Sequence, residues 1–318
     1  MTRPLELLTV GRVSVDLYAE QPGAGFAAVR TFAKSVGGSP TNVAVAAARL
    51  GHSTAVVTAV GADPFGAYVR EALDGFGVDT RFVGTHPALR TPLAFAAMDP
   101  PEDPQLLFYR APEAPDAYIG ATDELLDAVT RVPILWISAS ALAVEPSRST
   151  SLALLEAHGR TDHAILDLDW RSTFWATADE GRRVIGAAVE RATIAIGNRA
   201  ECEIAVGSAD PGEAADALLA RGIEVAVVKL GSDGVLVVTE DERRVVPPVP
   251  VPVVCGLGAG DAFGGAFCHG LLSGLSPFEA VELGNAAGAI VASRLLCADA
   301  MPTLDELHET LERAHARG

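Results

Sequence analysis

The densest cluster of chemically suggestive residues is Cys255-Gly256-Leu257-Gly258-Ala259-Gly260-Asp261, which follows an extended segment and opens a helix. Small residues there let backbone N–H groups converge, and the helix N-terminus adds positive potential, so the turn suits an anion such as phosphate. Asp261 is the informative member. An acid in a phosphate-binding turn repels its ligand. It makes sense there when it takes a proton from an attacking hydroxyl while the amides of Gly258, Ala259 and Gly260 stabilise the transferring group. The helix terminus is expected to keep Asp261 ionised. The plain alternative is a glycine-rich turn in which Asp261 merely caps the helix. Two other phosphate-binding patterns fail on spacing. A Walker A loop needs Gly-Lys-Ser/Thr, and no lysine stands here. A Rossmann fingerprint needs a third glycine where Asp261 stands.

The elements that must position this loop are legible as an alternation. Leu5–Val10, Ala55–Val60, Ile134–Ser138, Ala164–Asp169, Thr193–Ile196 and Val225–Leu230 read as strands buried on both faces. Thr41–Leu50, Gly66–Phe76, Ser149–Ala157, Asp179–Arg191 and Gly212–Ala220 read as helices between them. Such a rhythm predicts an α/β fold with a central, mainly parallel sheet flanked by helices. Two strand-like excursions, 13–34 and 91–118, interrupt it and predict a small β-sheet outside the main one. After Val235–Val238, Arg243–Pro247 and an extended Pro-rich run, Val246–Val253, three helices are expected. No linker, repeat or low-complexity tract divides the chain, so one domain spanning 1–318 is predicted.

Composition narrows the partners. The 318 residues carry a net charge of −17, which repels phosphate backbones and anionic lipid, so neither nucleic acid nor a membrane is expected as partner. No run of about 18 apolar residues suggests a transmembrane helix. The first ten residues hold no signal-peptide core, which predicts a cytoplasmic protein. Cys202, Cys255, Cys268 and Cys297 show no metal-ligand spacing and read as buried, reduced thiols. The seven histidines are scattered without a paired spacing.

A second glycine cluster, Val36-Gly37-Gly38-Ser39-Pro40-Thr41-Asn42, precedes the first helix. Ser39 is expected as its N-cap and Pro40 as its first helical residue. Together with Gly11-Arg12-Val13-Ser14-Val15-Asp16 and the Gly258–Asp261 loop, in this order and separation, it resembles the ribokinase (PfkB) family of sugar kinases over essentially the whole chain. The resemblance implies a ribokinase-like fold, a lid formed by the two excursions, and a homodimer through that lid. It implies that Asp16 accepts sugar hydroxyls, with Gly37, Gly38 and Asn42 completing the sugar site. ATP and Mg²⁺ are the implied co-substrate and metal. Asn198 would approach the nucleotide phosphates, and Glu201, in the same Asn-x-x-Glu pattern, would orient Mg²⁺-bound water. Lys229, Gly231, Ser232 and Gly234 match the nucleotide loop, and Asn285 the adenine wall. The plain alternatives are a capping pair at 198 and 201, a hairpin turn at 231–234 and a helix-surface amide at 285. Cys255 and Gly256 replace an Asp-Thr pair that helps many relatives hold a monovalent cation, which puts potassium activation in doubt.

Two arginines point to the acceptor. Arg110 follows Phe108-Tyr109, and Arg171 ends Asp167-Leu168-Asp169-Trp170-Arg171. Guanidinium forks meeting at a sugar site suit a carboxylate, whereas the plain alternative is structural Arg–Asp pairing. Within the family this pattern, with the phrases Phe32–Pro40 and Cys297–Pro302, looks most like kinases of keto-deoxy sugar acids, in particular one of myo-inositol breakdown. The competing expectations are a kinase of 2-dehydro-3-deoxygluconate, which would share the arginines, a neutral-hexose (fructokinase-like) kinase, and a non-catalytic sugar-acid sensor on the same fold.

Overall fold

Successive side chains of Ile134–Ser138 enter different layers of the core, and this alternation sets the architecture. Ile134 and Trp136 pack with Phe263 and Phe267, whereas Leu135 and Ile137 pack with Leu154 and Ile185. A strand apolar on both faces needs a helical layer on each side. The computed structural model, which describes residues 3–316, shows that arrangement.

The first strands in the chain are β1 (Leu7–Val10), β2 (Ser14–Ala19), β3 (Phe32–Gly37), β4 (Thr54–Gly61), β5 (Val78–Asp79), β6 (Val83–His86), β7 (Leu93–Ala97) and β8 (Gln105–Tyr109). They continue as β9 (Ile134–Ser138), β10 (His163–Asp167), β11 (Ile194–Asn198), β12 (Val225–Lys229), β13 (Val235–Val238) and β14 (Arg243–Val246). Ten of them form one sheet ordered β14-β13-β12-β11-β10-β9-β1-β4-β5, with β6 beside β4. From β12 to β5 every neighbour is parallel, so the C-terminal ends of β1, β9, β10, β11 and β12 share one edge. Ligands of open parallel sheets bind at that edge.

Helices α1 (Ser39–Arg49), α2 (Pro64–Gly75), α3 (Asp123–Val129), α4 (Ser147–His158) and α5 (Ala178–Val189) are followed by α6 (Arg199–Val206) and α7 (Pro211–Leu219). The chain closes with α8 (Ala259–Leu272), α9 (Pro277–Ala292) and α10 (Leu304–His315). Helices α3 to α7 cover one face of the sheet; α1, α2, α8, α9 and α10 cover the other. Gly265 of α8 lies so close to Ala46 and the Val43 carbonyl of α1 that a Cβ would collide with them. That approach brings the first turns of α1 and α8 together.

The small sheet, β3-β2-β7-β8, forms the lid. Its strands differ from the predicted excursions in two places. β3 runs past Lys34 to Gly37, because Val36 joins the core and the Ser35 hydroxyl donates to Asp299 Oδ2 at 2.6 Å. Pro115–Tyr118 is a 3₁₀ turn, where Pro115 offers no ladder N–H. The cap of α1 also differs from expectation. Gly38, at φ +101°, is the N-cap, while Ser39 and Pro40 are the first two helical residues. The Ser39 hydroxyl is drawn instead to Asp167 Oδ2, 3.1 Å away. All four cysteines are buried and unpaired. No described helix is long and apolar enough to cross a membrane.

Candidate active site

A cavity of about 190 Å³ opens at the C-terminal edge of the sheet, between the glycine loop, the first turn of α1 and the lid. Gly258 takes the left-handed conformation, φ +79°, as N-cap of α8, and its bare Cα faces Cys297 with no room for a side chain. Asp261 therefore sits at the third helical position. Asn42 Nδ2, in the first turn of α1, donates to Asp261 Oδ2 at 2.8 Å. Burial raises the pKa of Asp261, against hydrogen bonds from Asn42 and Ser39 and the nearby Arg12. The helix terminus alone predicted the opposite direction; burial beside other acids outweighs it. A raised pKa makes Asp261 a stronger proton acceptor.

Across the cavity, Asp16 on β2 accepts from Ser14 Oγ at 2.6 Å. The Tyr18 hydroxyl lies between Asp16 Oδ2, at 3.2 Å, and Cys297 Sγ, at 2.6 Å. Burial raises the pKa of Asp16 as well. Gly37 on β3 leaves the space that this carboxyl occupies; a Cβ there would overlap it.

Charges gather where the parallel strands end. Asp167 and Asp169, just past the buried run Ala164–Leu166, are themselves buried. Burial pushes the pKa of Asp167 up, and Asp169, Glu201 and Asp261 add to that, against Lys229. Burial also opposes the charge of Asp169, but Arg12, Arg171 and the Ser138 hydroxyl, 2.9 Å away, outweigh it and hold its pKa low. Arg171 Nε is 3.0 Å from Asp169 Oδ1, and Arg12 Nε is 3.6 Å from Oδ2. Lys229 reaches in from β12, its Nζ 4.0 Å from Glu201 Oε2 and close to Gly260. Burial works against its charge, yet Glu201, Asp167, Asp169 and Asp261 together raise its pKa.

Several predicted residues converge here: Asp16, Gly38, Asn42, Arg171, Glu201, Lys229, Gly258, Gly260 and Asp261 all line the cavity. Others do not. Arg110, directly after β8, lies in a neighbouring cavity of about 250 Å³. Its fork is occupied by Asp116, at 2.7 and 3.4 Å, and lies over the Phe174 ring. Arg110 and Arg171 thus line different cavities, and each is already paired with an aspartate. Asn198 is exposed and forms a capping box with Glu201, accepting the Glu201 N–H at 3.0 Å while Glu201 Oε2 accepts the Asn198 N–H at 2.7 Å. The carboxyl of Glu201 nevertheless reaches the cavity. Gly231, Ser232 and Gly234 make the turn between β12 and β13. Gly234 packs against Val246. Beyond it opens a third cavity, about 850 Å³, walled by Val246–Val251 and Asn285, whose Nδ2 donates to the Pro247 carbonyl at 2.8 Å.

Sequence reasoning passed over Arg12, Ser39, Asp167 and Asp169 as site residues. For the two aspartates a signal existed, since acids directly after a buried parallel strand lie at the ligand edge. Arg12 and Ser39 gave none, because their partners lie on other elements.

Asp261, on the glycine loop, thus shares with Asp16 one cavity under the β lid, an arrangement that suits phosphoryl transfer to a small hydroxylated acceptor. The chain belongs to the pfkB family of carbohydrate kinases, whose profile matches residues 5–304, and is an ATP-dependent phosphotransferase. The 5-dehydro-2-deoxygluconokinase of Geobacillus thermodenitrificans is 33% identical over 321 residues, which cover 99% of this chain and 95% of that protein. A second 5-dehydro-2-deoxygluconokinase, from Bacillus cereus, is also 33% identical, over 98% of this chain and 96% of its own. Among solved structures, the fructokinase of Vibrio cholerae with fructose, ADP and calcium superposes at a TM-score of 0.84 and 26% identity, over 97% of this chain and all of that one.

Proposed function

We propose that the chain transfers the terminal phosphoryl group of ATP to the end hydroxyl of a keto-deoxy sugar acid, 5-dehydro-2-deoxy-D-gluconate, giving its 6-phosphate. The observation that carries this reading is a guanidinium, Arg171, lining the same cavity as Asp261 and Asp16. A neutral sugar needs no such cation, and an overall charge of −17 gives an anionic acceptor no long-range attraction. The identity to two 5-dehydro-2-deoxygluconokinases supports the same acid.

In this reading Asp16, with Gly37, Gly38 and Asn42 around it, orients the sugar hydroxyls. Asp261 takes the proton of the attacking hydroxyl. The amides of Gly258, Ala259 and Gly260 face the charge that develops on the transferring group. Lys229 lies along the phosphates, and Asn198, Gly231, Ser232, Gly234 and Asn285 line the path toward the nucleoside. Glu201, a buried carboxylate beside Lys229, fits the few-ligand, water-rich way in which Mg²⁺ binds. Bound there, Mg²⁺ would neutralise phosphate charge. A buried thiol, Cys255, stands at one position of the Asp-Thr pair with which many relatives help to hold a monovalent cation, so potassium activation stays in doubt in this reading. Arg171 faces the substrate's carboxylate, and Arg110 reaches it only by giving up Asp116. The open lid edge, β8, exposes Leu106, Leu107 and Tyr109, an apolar strip that supports a homodimer.

A neutral hexose is the second reading, favoured by the likeness to the fructokinase and by the aspartate already paired with each arginine. The two separate in an ADP-release screen over sugar acids, hexoses and nucleosides with Mg²⁺. The acid should give the highest kcat/KM; a higher value for fructose overturns the sugar-acid reading.

A further inference from the structure

Of the arginines around the site, Arg12 has the fewest partners. It hangs from the turn between β1 and β2, and only 12% of its side chain is exposed. Its buried Nε has no hydrogen-bond partner, and the carboxylate oxygen paired with it, on Asp169, stands 3.6 Å away. The fork of Arg110 is filled by Asp116, and Arg171 holds Asp169 at 3.0 Å with 42% of its side chain in solvent. Among the described residues, Arg12 alone lines both the catalytic cavity and the neighbouring one that contains Arg110. Both guanidiniums lie near the Phe174 ring, that of Arg12 5.9 Å and that of Arg110 4.6 Å from its centre.

Strand order places Arg12 at the acceptor end of the site. It follows β1, whereas Lys229 ends β12, four places along the sheet, or about 19 Å at the usual strand spacing. Asp261 is close enough to both for its charge to be felt by each. A nucleotide held at Lys229 therefore leaves the Arg12 side for the acceptor. Asp16, the hydroxyl-binding acid, lies four residues beyond Arg12 on β2.

We infer that Arg12 is a further specificity-determining residue, which receives the acceptor's carboxylate alongside Arg171 through its own unfilled N–H donors. Arg110 is then a positioning residue. It grips Asp116, and Asp116 Oδ2 accepts the backbone N–H of Val13 at 3.2 Å, which holds the turn that carries Arg12. This rests on the sugar-acid reading above.

The test compares kcat/KM for 5-dehydro-2-deoxygluconate with that for its primary amide, an uncharged molecule of nearly the same shape, in wild type, Arg12→Gln and Arg12→Lys. Loss of one partner of a desolvated charge pair lowers affinity by about 30-fold or more. Wild type should favour the acid over the amide by about that factor. The preference should collapse in Arg12→Gln and shrink in Arg12→Lys, which keeps the charge but loses the fork. A wild type indifferent to the charge overturns the sugar-acid reading itself. A wild-type preference that survives in Arg12→Gln, or equal losses on acid and amide, leaves that reading standing and overturns the role of Arg12. Should Arg12→Gln fail to fold, an undiminished preference in Arg12→Lys has the same force.

Discussion

Asn42 and Asp261, 219 residues apart, are joined by a 2.8 Å hydrogen bond between the first turns of two packed helices. The contact aims the carboxylate of Asp261 into the cavity and favours its charged form, while burial favours the neutral one. Its chemical role and its pH dependence are therefore both set by α1 packing on α8.

Asp261→Asn should fold normally, because Asn tolerates a first-turn position, and should lose turnover by roughly 10²–10⁴, the usual worth of a positioned base. The measurements are kcat and thermal midpoint. A kcat near wild type removes Asp261 from proton transfer.

Asn42→Ala removes a donor to the ionised carboxylate. The pKa of Asp261, already raised by burial, should rise further. Because the base works unprotonated, the acidic limb of the kcat–pH profile should move to higher pH. An unmoved or downshifted limb means that another group controls it.

Glu201→Gln keeps an oxygen for the Asn198 N–H, so the cap of α6 should survive. More Mg²⁺ should then be needed for half-maximal rate, with sugar-acid affinity unchanged. Weaker sugar binding with an unaltered Mg²⁺ requirement would mean that the nucleotide and acceptor ends are exchanged.

Arg110→Ala leaves Asp116, 3% exposed, as a buried charge without its ion-pair partner. Denaturant unfolding should show a loss of about 3 kcal/mol, the scale for breaking a buried pair from one side. The double change with Asp116→Ala should recover much of it. If the single variant is as stable as wild type, Arg110 does not anchor this corner of the fold.

Acid should weaken the fold through histidines. His52 Nε2 and His269 Nδ1 are 2.8 Å apart, and Glu6 Oε2 lies 3.5 Å from His52 Nδ1. Burial, with His52 and His308 nearby, lowers the pKa of His269 to about 4. Burial also lowers that of His52, although Glu6 opposes it. Imidazoles that ionise near pH 6.5 when unfolded but resist protonation when folded contribute full stability above that pH. The contribution is lost as pH falls from about 6.5 toward 4. The thermal midpoint should drop across that window, and His269→Gln should flatten the drop; equal slopes in both proteins would exclude the pair as its cause.

Much of the fold was legible in the chain. Ile134–Ser138 appears with the predicted bounds and the other main strands within two residues, because strands buried on both faces must be continuously apolar. The glycine loop was legible for a similar reason. Backbone that turns without a side chain and then enters a helix is a local requirement, written in local residue types. Side-chain partners are not local. Ser39 left its expected capping role because β10 brings Asp167 to it from 128 residues away. Arg110 and Arg171 are the exception: each pairs with an acid a few residues away in the chain, Asp116 and Asp169, the plain alternative open to the sequence, and the pairing leaves the two arginines in different cavities. Arg12 has no neighbour in sequence that marks it; its position between two cavities follows from the strand order and the path of the chain into the lid. Which elements form is decided by periodicity within ten or so residues, whereas which charge meets which depends on where the sheet order and the lid carry elements far apart in the chain.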